Sequence, residues 1–546
     1  MKKFTPIIAA TAISGLVITG LFATGMLEYK NNTVQKKTIS IDQITKATSS
    51  KPDSLTYIQH MQQGDDYVKK SMTSLAINEY IAANQQEPEN AEPYLKIGGL
   101  LLEEKNYTKA QEIYQQLLMK DKNNQEASLN LAKTYIMMKN IEKARDLLQT
   151  LPDSQTKQYY TGIIAAYFGQ YDIAKTNLSA AATITSGSSD IASRAKNILT
   201  AFGEYGMNQG SQEIYLKTLL AKSFNQVGEY TLSIPLLFNV VKEKKDYRDA
   251  WIILGYAYLN TDDYKNAIDA LEEARKLDKN KPETLFFLGL SYSANNQKEV
   301  AAQFIADAID KGFEPKIQAQ QKLAEIYMTL KDYEKAAFRY EAVVALNDSD
   351  INYYVRPMWI YIEKLNQPAK ALILAKKAIT KYPNSGMAYN LVGWAQLSLK
   401  DYDQAKQYLG KAVEIDSNLA AAYLNLGTLH EKLANIDAAK EYYKTAFRLG
   451  EGSSIGDSAA DSYNRLLALN PNPVPGQTLT QGISTLGQAN VLQPLTITPS
   501  AITPTTKPVS QPAPLPSSDF VPKFKLPETT KAPTASIKLE PLSTTP

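Results

Sequence analysis

The sequence predicts an all-α fold, a superhelical solenoid of stacked helix pairs in two blocks, and three observations carry that prediction. Met387 to Asn418 reads as two amphipathic helices joined at Lys400-Asp401, with Tyr389, Val392, Gly393 and Gln396 on one face of the first and Ala405, Leu409 and Ala412 on one face of the second. The pattern then returns: Gly393 answers to Gly427, Ala405 to Ala439 and Ala412 to Ala446, and 427 minus 393 gives a period of 34, a length typical of a solenoid of helix pairs. Finally, 546 residues with 21% charged are too many for one compact core, whereas a solenoid lets each pair bury its apolar face on the next.

The slots are specific. Tyr423, Leu426-Gly427, Ala439, Tyr443 and Ala446 recur as Trp251, Leu254-Gly255, Tyr258, Tyr264, Ala267, Leu271 and Ala274. On these residues the chain resembles the tetratricopeptide repeat family. The small residues let two helices approach closely, and the aromatics fill the gap between neighbouring repeats. The resemblance implies a non-enzymatic scaffold whose first helices line a groove for other proteins.

Taken in order, Met1-Lys2-Lys3 precedes an uncharged run from Phe4 to Leu27. At 1.5 Å per residue it is long enough to span a bilayer core of roughly 30 Å. Residues 1–27 are therefore expected to form a transmembrane signal anchor, the run exceeding the about 7 to 15 residues of a cleaved signal. Ala23-Thr24-Gly25 leaves secretion after cleavage as the alternative. Basic residues lie on both flanks, Lys2 and Lys3 against Lys30, Lys36 and Lys37. The short basic N-terminus favours repeats outside the cytoplasm, with cytoplasmic repeats as the alternative. Residues 28–54 read as a polar stalk.

The first block, 57–184, holds about four units, marked by Gly64 with Tyr80, Gly98 with Tyr114, Leu131-Ala132 with Leu148, and Gly162 with Leu178. Phase is lost over 185–213, an irregular joint containing one helical run from Ile191 to Phe202. A second block of about seven units, 214–453, restarts at Leu220-Ala221 and includes one degenerate unit with Trp359 in the slot for Gly or Ala. Residues 454–470 are expected to cap the last apolar face. From 471 to 546 the chain is Pro-, Thr-, Ser- and Gln-rich, as in Pro512-Ala513-Pro514-Leu515-Pro516, and is expected to be a disordered tail.

Charge and motifs narrow the function. A formal charge of +3 from 59 basic and 56 acidic residues gives no field suited to nucleic acid. The absence of cysteine excludes disulfides, thiolate metal sites and a catalytic thiol. Gly452-Ser453-Ser454-Ile455-Gly456 matches the spacing of a nucleophile elbow, yet a helix precedes it and no His follows. It reads as a Gly-rich helix stop. Asp401-Tyr402-Asp403 and Asp348-Ser349-Asp350 lie at turns, where solvated acids are expected. His60 and His430 lack a second His at ligand spacing, so neither a metal nor another cofactor is expected.

Two family sites are tested by slot. A chaperone-tail clamp would fall on Leu95, Gly99, Asn130, Thr156 and Tyr160, of which only Asn130 fits. An asparagine ladder would fall on Leu219, Ile253, Phe287, Lys322, Pro357, Leu391 and Asn425, which is not a ladder. The resemblance instead directs attention to the fifth and ninth positions of the first helices. These hold Ile252 and Tyr256, Phe286 and Leu290, and Asn390 and Trp394. The expected partners are peptide segments or helices of envelope proteins, with the membrane engaged through the N-terminal helix and cell-wall contact open to the tail. Residue usage rich in Lys, Asn and Tyr suggests a bacterium. The other readings are an accessory factor of a membrane-bound synthase or secretion complex, and a spacer between membrane and wall.

Overall fold

The computed structural model of the chain describes residues 55–183, 188–207 and 212–469. Among these residues are 24 α-helices and no strand. The first helices pair as α1 (Tyr57–Lys69) with α2 (Thr73–Gln86), α3 (Ala91–Glu103) with α4 (Tyr107–Lys120), α5 (Gln125–Met137) with α6 (Ile141–Gln149), and α7 (Gln155–Tyr167) with α8 (Tyr171–Thr183). After α9 (Ser189–Met207) come α10 (Glu213–Gln226) with α11 (Tyr230–Glu243), α12 (Arg248–Asn260) with α13 (Tyr264–Leu277), and α14 (Pro282–Ala294). Next are α15 (Lys298–Asp310), α16 (Lys316–Thr329) with α17 (Tyr333–Leu346), and α18 (Val355–Trp359) with α19 (Pro368–Lys381). The series ends with α20 (Gly386–Ser398) and α21 (Tyr402–Ile415), α22 (Ala420–Lys432) and α23 (Ile436–Leu449), and the terminal α24 (Ser454–Ala468).

One turn joins the two helices of a pair, and it recurs with the sequence period. A single residue adopts positive φ, as at Lys105 (59°), Lys139 (64°), Lys400 (65°) and Ala434 (58°). This left-handed step lets the next N–H return to the helix it has just left, as Asp401 N does to Gln396 O at 3.0 Å. The following helix starts at once, Asp401 accepting from Gln404 N at 3.2 Å as its N-cap. Within a pair the helices close on the small residue read from sequence. A Cβ added at Gly393 would stand 2.6 Å from Leu409 Cγ, and one at Gly98 would stand 2.5 Å from the Tyr114 ring. Only glycine permits that approach without displacing the partner.

The described residues divide into two compact units, 55–295 and 296–469, a division that falls inside the second block read from sequence phase. Contacts in a solenoid are local, so a break in repeat phase is not by itself a break in packing. In the N-terminal unit α9 extends the helical run expected within 185–213. It buries Ala195, Ile198 and Ala201, and packs on α7, α8 and α10. In the C-terminal unit the degenerate repeat departs from the α-helix. A 3₁₀ turn (Ile351–Tyr354) precedes α18, and a π turn (Ile360–Lys364) follows Trp359 directly. The indole cannot enter a crossing built for glycine, and the wider π turn inserts a residue there, while Ala371 and Ala378 remain fully buried in register.

First helices of adjacent repeats touch within each unit, α3 with α5, α12 with α14 and α20 with α22. Among the described residues no pair of neighbouring second helices packs as closely. The first helices therefore line the inner face. At the end of the array α24 packs on α22 and α23 and buries Ile455, Ala459, Tyr463 and Leu466. The expected anchor at 1–27, stalk at 28–54 and tail at 471–546 lie outside the described residues. Among the described residues no helix is long and apolar enough to cross a membrane.

Candidate partner-binding surfaces

In the N-terminal unit, α12 and α14 carry Ile252, Tyr256, Phe286 and Leu290. Ile252 and Phe286 are fully buried. They retain no surface to offer a partner, because closely spaced first helices enclose the fifth position. Tyr256 keeps 9% exposure and packs edge to face on Phe287, with ring centroids 5.2 Å apart. Tyr230 also lies 6.2 Å from it, and Phe287 continues the row to Phe286 at 5.8 Å. Leu290 is half-buried. Tyr256 is thus buried within an aromatic row that holds α12 against its neighbours, and Leu290 keeps part of its surface open.

In the C-terminal unit Asn390 and Trp394 lie one turn apart on α20 and project from one face. Both are buried, at 2% and 5% exposure. Asn425 on α22 donates through Nδ2 to Asn390 Oδ1 at 2.9 Å, linking two successive first helices. Asn390 Nδ2 approaches only Met387 Sδ, at 3.8 Å. The Oδ1 atom of Asn425 and the indole Nε1 of Trp394 have no hydrogen-bond partner. Leaving a buried donor or acceptor unmade costs about 1–3 kcal/mol per group. One acceptor and one donor are thus held buried and unpaired beneath the inner face, Asn425 being 3% exposed and Trp394 5%. Asn425 occupied a ladder slot in the sequence but stood alone there. Only the approach of α22 to α20 makes it a member of a site.

The remaining motifs are absorbed by local structure. Asp401 caps α21, and Asp350 accepts from Asn352 N at 2.9 Å. Asp348 pairs with Lys381 at 3.1 Å. Ser453 caps α24, accepting from Gly456 N at 3.3 Å, so the Gly-rich run is a helix start as well as a stop. His60 Nδ1 meets Glu79 Oε2 at 2.7 Å. His430 lies against the Tyr442 ring, centroids 5.0 Å apart, and its pKa is lowered by burial and by Lys406.

The geometry thus defines a class, an all-helical repeat solenoid with an inner face formed by first helices. Tetratricopeptide repeat family models match residues 101–167, 248–281, 317–350, 388–419 and 420–449. Over those residues the repeats match the tetratricopeptide type. Over 135 residues the chain is 25% identical to anaphase-promoting complex subunit 6 of Arabidopsis thaliana, a match covering 24% of each protein. Over 217 residues it is 24% identical to the peroxisomal targeting signal receptor of Saccharomyces cerevisiae, covering 35% of this chain and 33% of the receptor. The chain thus spans about a quarter and a third of the length of these relatives. Among solved structures it is similar to the APC/C hetero-tetramer Cut9-Hcn1, with 12% identity, a TM-score of 0.28, and coverage of 79% of this chain and 99% of that one.

Proposed function

We propose that the chain is a non-enzymatic scaffold that holds peptide segments of other proteins on the inner faces of its repeats. The observation that carries this reading is that Asn425 Oδ1 and Trp394 Nε1 lie buried and unpaired on first helices, so that a peptide reaching them must part the side chains above. A peptide main chain offers the complementary set, an N–H for the carboxamide oxygen and a C=O for the indole N–H. Trp394, exposed over only 5% of its surface, is of a residue type enriched at binding hot spots. In the N-terminal unit half-buried Leu290 and the small open part of Tyr256 serve the same purpose, with Ile252 and Phe286 enclosed. Both curated relatives bear names of proteins that engage other proteins, a receptor and a complex subunit.

The partners proposed are envelope proteins of a bacterium. The apolar run between Phe4 and Leu27 would anchor the repeats to a membrane, the short basic N-terminus favours placing them outside the cytoplasm, and the Lys-, Asn- and Tyr-rich usage supports a bacterial source. Crosslinked pull-down of the tagged full chain from membranes, with mass spectrometry, identifies candidates. The captured protein is then tested directly against Tyr256→Ala with Trp394→Ala. Weakening by about 2 kcal/mol or more, with helix content kept, is expected. Normal binding by a variant that melts earlier would make these side chains core and sink the groove.

A further inference from the structure

The inner face of the N-terminal repeats is already occupied, by a distant part of the same chain. Helix α11 packs against α5 and α7, two first helices of preceding repeats. At the point of contact Glu229, the residue preceding α11, is buried at 9% exposure. Its Oε1 accepts from Tyr159 Oη on α7 at 3.2 Å, across 70 residues of sequence. Arg194 on α9 approaches the same oxygen with Nη1 at 4.0 Å. It also donates from Nη1 to Val227 O at 3.1 Å and from Nε to Asp190 at 2.8 Å. Lys133 on α5 adds positive charge toward the carboxylate, and Tyr160 borders it. Tyr159 is the fifth residue of its first helix and Lys133 the ninth. The corner between α10 and α11 therefore fills the slots that hold Phe286, Asn390, Tyr256 and Trp394 elsewhere. A second long-range contact lies nearby in topology. Lys105 and Asp262, each at the positive-φ turn of its own repeat, form an ion pair across 157 residues.

We propose that the α10–α11 corner is a reversible intramolecular latch, in which Glu229 docked on Tyr159 and Arg194 closes the inner face of the N-terminal repeats until the corner withdraws. A buried carboxylate is a costly way to hold two surfaces permanently together, since apolar side chains of the same volume do so at least as well. It is suited to a contact that must also come apart, because the released Glu229, Arg194 and Tyr159 are all well hydrated. The closure is independent of partner identity, so its test needs no partner and stands apart from that of the groove reading.

The chain contains no cysteine. The pair Glu104→Cys and Thr261→Cys, at exposed sites beside the Lys105–Asp262 contact, therefore accepts a donor and an acceptor dye without background. Single-molecule energy transfer on the full chain is expected to show a dominant high-transfer population and a minor low-transfer one. Glu229→Ala should raise the ratio of low to high transfer about tenfold, and Tyr159→Phe should raise it in the same direction by less. Circular dichroism must show helix content unchanged. A single high-transfer population in all three proteins would make the corner ordinary core and overturn the latch. Loss of helix content in Glu229→Ala, with Tyr159→Phe folded and unmoved, would overturn it as well.

Discussion

Two adjacent glycines show how finely single residues are specified. In α3 a Cβ on Gly98 would enter the Tyr114 ring, whereas a Cβ on Gly99 would meet nothing within 4 Å. Gly98→Ala is expected to destabilise the N-terminal unit. An overpacking cost of about 1–3 kcal/mol exceeds the gain of up to about 1 kcal/mol from replacing a helical glycine. Gly99→Ala should keep only the gain, about 0.5–1 kcal/mol of stabilisation. Urea midpoints of the two variants check this; equal shifts of the same sign would show that the ring yields. The slot containing Gly98 was legible from the 34-residue period. Tyr159, Arg194 and Glu229 left no such mark, because their meeting depends on how far the array curves between α7 and α11. Ile252 and Phe286 were legible as recurring apolar positions, but period alone does not separate a residue that lines a surface from one that is enclosed.

At the scale of elements, the terminal helix carries the clearest expectation. Ile455, Tyr463 and Leu466 of α24 cover the apolar face that α22 and α23 leave open, including Tyr443, which is fully buried. Ending the chain at 453 should lower the melting midpoint by roughly 4 °C or more, as expected for loss of a packed element. Ending it at 470 should leave the midpoint within about a degree or two, since residues 471–546 are poor in large apolar side chains. Equal melting of the two truncations would show that α24 is not a cap. The degenerate repeat teaches the complementary lesson. Trp359 was recognisable in sequence as too large for its slot, but whether the chain would expel the ring, bend or rewind was not. The π turn at Ile360–Lys364 is the packed array's solution, reached without shifting Ala371 or Ala378.

For the whole molecule, pH and membrane attachment are the properties to measure. Burial pushes the Glu229 carboxyl up, and Arg194, Tyr159 and Lys133 only partly oppose it. The facing groups are thus Lys133 on α5, Tyr159 and Tyr160 on α7, and Arg194 with Asp190 on α9. With a folded-state pKa above the unfolded one, the protonated form is the better docked. Its contribution is fully present below the ordinary value of about 4.3 and is lost as pH rises through the raised folded-state value. Stability of the N-terminal unit should therefore fall as pH rises above about 4.3 in the wild type and change less in Glu229→Gln, measured by urea midpoints. A steeper slope in the variant would reverse the sign argued here. Separately, the proposed anchor predicts retention in membranes after alkaline carbonate washing, with Met1 to Leu27 still present. A soluble form beginning near Met26 would rule that out. Protease added outside intact spheroplasts should digest the repeats; protection would place them in the cytoplasm.

What the sequence determined by itself was the unit and its spacing. Helix periodicity, the small residue at each crossing and the turn residues act within about 34 positions, so a local reading contains them. The tertiary structure alone decided what lies across that distance. It placed Asn425 against Asn390 and left two polar atoms unmet, enclosed Ile252 and Phe286, and brought Glu229 to Tyr159. Each outcome depends on the small rotation between neighbouring repeats, summed along the array. That rotation arises from the packed volumes of many side chains together, and no single stretch of sequence encodes it.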